Sequence, residues 1–338
     1  MEDNNKSLLS NILGLEQPLT KLLETVACGI GKLYEPIHIK RIAKAQAKEI
    51  ELISEAVCSH ANLPINYENG TLSINTQDAN DLVFRAQNRF LFQEMKKQQN
   101  IEAVVANAYT ELENIDAVSD TPVDIDWVNE FFNAVANVSS EQMQQLWGKL
   151  LAGEIEQPGS FSLRTLETLK KLSKEEAHIF EEISPFVLKC KGDQEESFFD
   201  FFLMPDAEAS LLSKYGIPFS KIMILSEAGI MRENLQIVFR LDINANDFAV
   251  IEGMHKDIEI KNLEDKSISL EHFAYFLTES GKELLPIVQN NQNGSIEKSN
   301  AYLSDCLKEL ETGGMTMINS AFLAQNAYKI SWEIISPD

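Results

Sequence analysis

The stretch from residue 78 to residue 114 contains neither proline nor glycine, and this constrains the fold more than any other feature of the chain. Such a run predicts one extended helix. A helix in water draws most of its stability from an apolar face packed on a neighbour, so this one requires a partner helix, in this chain or another. Its centre, Glu94-Met95-Lys96-Lys97-Gln98-Gln99-Asn100, is polar all round and reads as a solvent-crossing segment.

Upstream, Leu19, Leu22, Leu23, Val26, Ile30 and Leu33 recur at the three-and-four spacing of one helical face, predicting a helix over residues 19–34. Gly29 and Gly31 weaken its end, each by about 1 kcal/mol relative to alanine. Pro36 suits the first turn of a second helix, which carries Ile39, Ile42, Ile50, Ile53 and Val57 inward and is the expected partner of the long helix. Between them, Asn69-Gly70 fits a type I′ turn. That turn sets Tyr67 opposite Leu72 and Ile65 opposite Ile74 in a hairpin spanning 63–75.

Downstream, the acidic stretch 116–126, with Pro122, reads as a linker. A tight helical pair follows, carrying Trp127, Phe131, Phe132 and Val135, then Met143, Leu146, Trp147, Leu150 and Leu151. Ser139 with Gln142 is its expected capping box and Gly153 its expected stop, while Ser162, and Ser173 with Glu176, cap two further short helices. The last part differs. An apolar segment, 217–230, stops at Glu227-Ala228-Gly229; β-rich segments cover 235–241, 248–251 and 258–260; Leu277-Thr278 and Gly281 then open another helix. Helix, ribbon, helix is the rhythm of a winged helix. Residues 290–299 read as a polar turn and the tail as short mixed structure. The expectation is a mainly α protein with a smaller α+β part. It comprises an N-terminal long-helix region with a hairpin insertion (1–115), a middle helical unit (116–195) and a C-terminal winged-helix-like unit (196–338).

The chain has 338 residues, enough for about two domains at ~150 residues each, and a net charge of −23. A surface so acidic repels phosphate, which excludes binding of nucleic acid over the whole surface and leaves only a local basic patch for such a role. Cys28, Cys58, Cys190 and Cys306 are widely spaced and read as reduced structural thiols. With no signal peptide pattern and no apolar run long enough to span a bilayer, the expected location is cytoplasmic, with peripheral membrane contact as a variant.

The motifs of chemistry are missing. Gly29-Ile30-Gly31-Lys32 fails as a phosphate loop, because Val26 stands where a glycine is needed and Leu33 where a hydroxyl is needed. His38, His60, His178, His255 and His272 are solitary and lack metal-ligand spacing. No nucleophile elbow or carboxylate pair stands out, so no enzymatic mechanism, cofactor or metal is expected. One charge anomaly remains: Lys32, Lys40, Arg41, Lys44 and Lys48 face Glu35 alone in a strongly acidic chain. These cations are the candidate surface for an anionic lipid or a partner protein, and the apolar face of 19–34 is the candidate insertion or packing face. A solvated helix face remains the plain alternative. In the winged-helix-like part, the helix around 218–228 offers Lys221 but also Glu227, which favours protein packing over DNA contact.

Several blocks resemble one bacterial family, the domain of unknown function 2806 (DUF2806). The first runs from Leu13-Gly14-Leu15 through Thr20-Lys21-Leu22-Leu23 and Gly29-Ile30-Gly31 to Ile39-Lys40-Arg41-Ile42-Ala43-Lys44-Ala45. Arg89-Phe90 with Glu94 to Glu102 is the second. The longest block contains Leu146-Trp147-Gly148-Lys149-Leu150-Leu151-Ala152-Gly153-Glu154-Ile155 and Pro158-Gly159-Ser160-Phe161-Ser162-Leu163-Arg164-Thr165. The N-terminal block is also similar to that of abortive-infection proteins, and this resemblance implies a part in bacterial defence against phage. It assigns no catalytic residue. The resulting expectation is a non-enzymatic defence protein, sensor or effector, whose partner is a second defence protein, another copy of itself or an anionic membrane. A nucleic-acid-binding regulator is the alternative, and an enzyme of unrecognised type the third reading.

Overall fold

A computed structural model of the protein describes residues 17–31, 65–68, 71–74, 82–191, 201–204, 210–233, 237–289, 296–312 and 330–335. It is mainly helical with a smaller antiparallel β part. The chain divides into two compact units, 1–166 and 167–338, where linker composition suggested three regions.

Among the described residues of the first unit, four helices build the core: α1 (Gln17–Ile30), α2 (Leu82–Leu112), α3 (Ile125–Val135) and α4 (Glu141–Glu156). The long expected helix is α2, and among the described residues its main partner is α4. The expected partner around Ile39 and Val57 lies outside the described residues. Ile101, Val104, Val105, Ala108, Tyr109 and Leu112 form its buried stripe. The polar centre of α2 is not wholly solvent-crossing. Asn100 is buried, donates its amide to Ala136 O at 2.8 Å and accepts from Gln144 Nε2 at 3.4 Å. It thereby ties the end of α3 to α4.

Trp127 stacks on Phe131 at 5.0 Å, and Phe131 meets Trp147 edge-on at 5.5 Å, so α3 and α4 share one aromatic centre. The stretch read as a linker is docked: Val118 is buried and Ser119 N donates to Glu156 O at 3.0 Å. Its last acids have a local task, because Asp124 caps α3 by accepting from Asp126 N and Trp127 N. Ser140, one residue beyond the expected Ser139, is the N-cap of α4, and its hydroxyl makes no capping bond. Gly153 lies inside α4 instead of ending it. The small hairpin, β1 (Ile65–Glu68) with β2 (Thr71–Ile74), has the expected register of Ile65 opposite Ile74 and Tyr67 opposite Leu72.

The chain passes from one unit to the other within α5 (Leu163–Lys171), followed by α6 (Lys174–Ile183), whose Ser173–Glu176 capping box is present as expected. The second unit is built on a seven-stranded antiparallel sheet. Its strands are β3 (Leu188–Lys191), β4 (Phe201–Leu203), β5 (Ile237–Ile243), β6 (Phe248–Glu252), β7 (Asp257–Asn262), β8 (Ile268–Phe276) and β9 (Ile330–Ile335), in the order β5-β8-β4-β3-β6-β7-β9. The segments expected to form a wing ribbon thus belong to a wider sheet. Its helices are α7 (Ser210–Lys214), α8 (Phe219–Glu227), α9 (Glu279–Gln289) and α10 (Ile296–Thr312). The tail expected to be short mixed structure therefore contains a helix of 17 residues and an edge strand.

Thr278 caps α9 by accepting from Gly281 N at 3.1 Å and donates to Gly229 O at 2.6 Å. A Cβ on Gly281 would come within 2.2 Å of Ile230 O. The Leu277-Thr278 and Gly281 pattern thus fixes the start of α9 against the end of α8.

Candidate functional site

The sequence placed its candidate site on the N-terminal helix and the basic stretch after it. In α1, Leu19, Leu22 and Val26 are buried in the core of the first unit, Leu23 and Ile30 are half-buried, and Cys28 is exposed. Burying Leu22 and Val26 contributes about 1.5–3 kcal/mol each. Gly29 sits in the helix where a Cβ would lie 2.2 Å from the Phe132 ring and 2.8 Å from Val128, so it is the point of closest approach to α3. Gly31, at φ +93°, ends the helix, with its N–H on Ala27 O at 3.1 Å. The two glycines read as weakening the helix are its contact point and its stop. Lys21 donates to Ser119 O and Thr121 O, which anchors the helix to the docked acidic stretch. Leu33, Lys32, Lys40, Arg41, Lys44 and Lys48 lie outside the described residues.

The longest family-like block builds the turn from α4 into α5. Glu154 is buried, and its carboxylate accepts from Gly159 N at 2.7 Å and Phe161 N at 3.0 Å. Gly159 has φ +91°, a left-handed conformation that favours glycine, and this bends the loop back onto the carboxylate. Phe161 is buried, with its ring against Gly153, and Ser162 accepts from Thr165 N at 3.3 Å to begin α5. Gly148 brings the α4 backbone onto α2. Gly148, Gly153, Glu154, Gly159, Phe161 and Ser162 of the block thus each have a structural task.

In the second unit, α8 is the helix a groove would meet. Lys221 Nζ lies 2.6 Å from Glu182 Oε2 and 3.0 Å from Gly216 O, so its charge is already engaged. Phe219 and Met223, one turn apart, are 47% and 39% exposed, and Glu227 is exposed beside them. That surface is apolar and acidic, a poor match for phosphate.

A polar cluster that sequence reasoning missed lies where α10 meets α7. Tyr302 is fully buried; its hydroxyl donates to Met204 O at 3.0 Å and accepts from Met204 N at 2.8 Å. Burial, then the neighbouring Cys306 thiol, push this phenol well above its ordinary range. Tyr215 donates to Asp305 Oδ2 at 2.8 Å, and burial followed by that carboxylate raise it as well. Lys214 Nζ meets the same oxygen at 2.5 Å. Phe186, Tyr215 and Tyr302 pack mutually, at 5.5–5.7 Å between ring centres. Both phenols are held neutral with their hydroxyls engaged, so the cluster ties the helices together and presents no free nucleophile. Its signal was the three-and-four spacing of Ser299, Tyr302, Leu303 and Cys306, across a polar turn and a tail expected to be short mixed structure. Among the described residues no group of three His, Cys, Asp or Glu could hold a metal ion, and no helix is long and apolar enough to cross a membrane.

No curated protein matches the chain, and no solved structure matches it. A family match does exist, over residues 84–299. It reaches from α2 of the first unit into α10 of the second and begins after residues 13–45, whose expected resemblance to abortive-infection proteins it does not support. With well over half of its length matched, the chain belongs to the family described as "Protein of unknown function (DUF2806)".

Proposed function

We propose that the protein is a non-enzymatic bacterial antiphage defence protein, sensor or effector, that acts by binding a partner protein through its N-terminal basic stretch. The observation that carries this reading is the burial of Leu19, Leu22 and Val26 in the first unit. A helix whose apolar face is committed to a core cannot lay that face on a bilayer without giving the core up. The five cations that follow it in sequence, Lys32, Lys40, Arg41, Lys44 and Lys48, then serve as a charged docking segment. In a chain of net charge −23, attraction through such a segment is local and is lost at high salt. The second unit serves as a protein-packing module, with the exposed Phe219 and Met223 of α8 as contact residues.

The test is protection against a panel of phages in a bacterial host carrying the gene with its neighbours. Wild type should reduce plaque numbers, and the variant Lys40→Glu/Arg41→Glu/Lys44→Glu should lose protection while keeping its thermal transition. Absence of protection by wild type throughout the panel overturns the defence reading; full protection by the triple variant overturns the role of the basic stretch.

A further inference from the structure

We propose that the protein pairs with a second copy of itself through β5, edge strand to edge strand. The sheet ends on one side at β5, which is hydrogen-bonded to β8 alone among the described strands. It is seven residues long, contains no proline and pairs with β8 along its whole length, from Ile237–Ala274 to Ile243–Ile268. Among the described residues the outer edge of β5 has no strand beside it, and an edge of that length is a ready template for another strand.

The sequence of the edge selects its occupant. Two copies of one strand can pair antiparallel only about a residue, because directly opposite residues share the same hydrogen-bonding state. Centring on Arg240 engages the whole strand but sets Arg240 opposite its own copy, and centring on Asp242 opposes two carboxylates. Centring on Phe239 sets Arg240 opposite Val238. Only centring on Leu241 opposes unlike charges: Arg240 of each copy faces Asp242 of the other, so the favourable pair occurs twice. Phe239 then stands opposite Ile243. Within the fold Arg240 is opposite Glu271 and Asp242 opposite Ser269, so the charges alternate along the row across the new junction. Asp242 is exposed and accessible to the second copy. The other edge, β9, carries only Glu333 and cannot complement itself in any register. Such a twofold interface closes on itself and stops at the dimer.

This inference goes beyond the partner-binding reading, since it uses β5 and not the basic stretch, and the two fail separately: the defence reading in the plaque assay, this one in the mass of the purified chain. Light scattering and sedimentation over a concentration series should give a dimer for wild type. Asp242→Lys opposes two cations in each pair and Arg240→Glu opposes two carboxylates, so each variant alone should dissociate at concentrations about tenfold higher than wild type or more. Mixed in equal amounts, the two variants restore both unlike pairs and should recover the dimer. If Arg240→Glu, at a position in register with Glu271, does not fold, affinity should fall in the order wild type, Asp242→Asn, Asp242→Lys. A wild-type monomer at every concentration overturns the proposal. So do open-ended polymers, which would report β5 pairing with β9, and so does an affinity indifferent to charge at position 242.

Discussion

Gly148 of α4 and Asn107 of α2 are in hard contact: a Cβ added at Gly148 would lie 2.4 Å from Asn107 Cβ, with Ala108 N at 3.0 Å and Val104 O at 3.1 Å. Most of what opposes the added atom is backbone of a long helix, which cannot swing aside. Gly148→Ala should therefore destabilise the protein although alanine is the better helix former by about 1 kcal/mol. Overpacking costs about 1–3 kcal/mol, and a contact this short against backbone belongs to the upper half of that range, so the expected net loss is about 1–2 kcal/mol. Urea unfolding that shows Gly148→Ala equal to or above wild type would remove the close approach from the account of this fold.

Glu154 carries a second prediction. Its two carboxylate oxygens accept from Gly159 N and Phe161 N, and the carboxylate and Phe161 are buried. Glu154→Ala removes the acceptor of both amides, that of Phe161 in a buried place, and should cost about 3 kcal/mol. Glu154→Gln keeps one acceptor and should cost about half as much. Equal stability for the two variants would contradict the carboxylate's role in holding the α4–α5 turn.

At the start of α9, Thr278 both accepts from Gly281 N and donates to Gly229 O. Thr278→Val keeps the shape and loses both bonds, for an expected loss of about 1–2 kcal/mol, whereas Thr278→Ser should stay near wild type. Thermal melts ranking valine with serine would refute the cap.

The buried phenol of Tyr302 sets a pH dependence. Its folded pKa is raised, so below the ordinary value of 10.0 both folded and unfolded phenols are neutral and its contribution is complete. Above that value the unfolded chain releases the proton and the folded one keeps it. Stability then falls by about 1.4 kcal/mol per pH unit, until the folded phenol also ionises. Tyr302→Phe should flatten this alkaline slope, and should lower stability at neutral pH because Met204 N loses its acceptor. Denaturation curves from pH 9 to 11 with the same slope in both proteins would exclude Tyr302 as its source.

Local signals carried much of the architecture. The absence of Pro and Gly between 78 and 114 was sufficient for α2, because nothing there interrupts a helical ladder. The register of Ile65 with Ile74, and the capping box of Ser173 and Glu176, are likewise decided within a few residues. Tertiary structure decided what each signal was for. Gly29 and Gly153 read as helix weakeners or stops, yet they are contact points with Phe132 and Phe161, rings that lie near them only once the chain has folded. Asn100 read as solvent-facing because polarity along a helix does not reveal that Ala136 O, 36 residues later, needs a donor there. The docked acidic stretch, the width of the sheet and the Tyr302 cluster depend in the same way on pairings between distant segments. Spacing along one segment reports its own periodicity; the groups that satisfy its backbone and fill its contacts are chosen by chain closure, which no local pattern records.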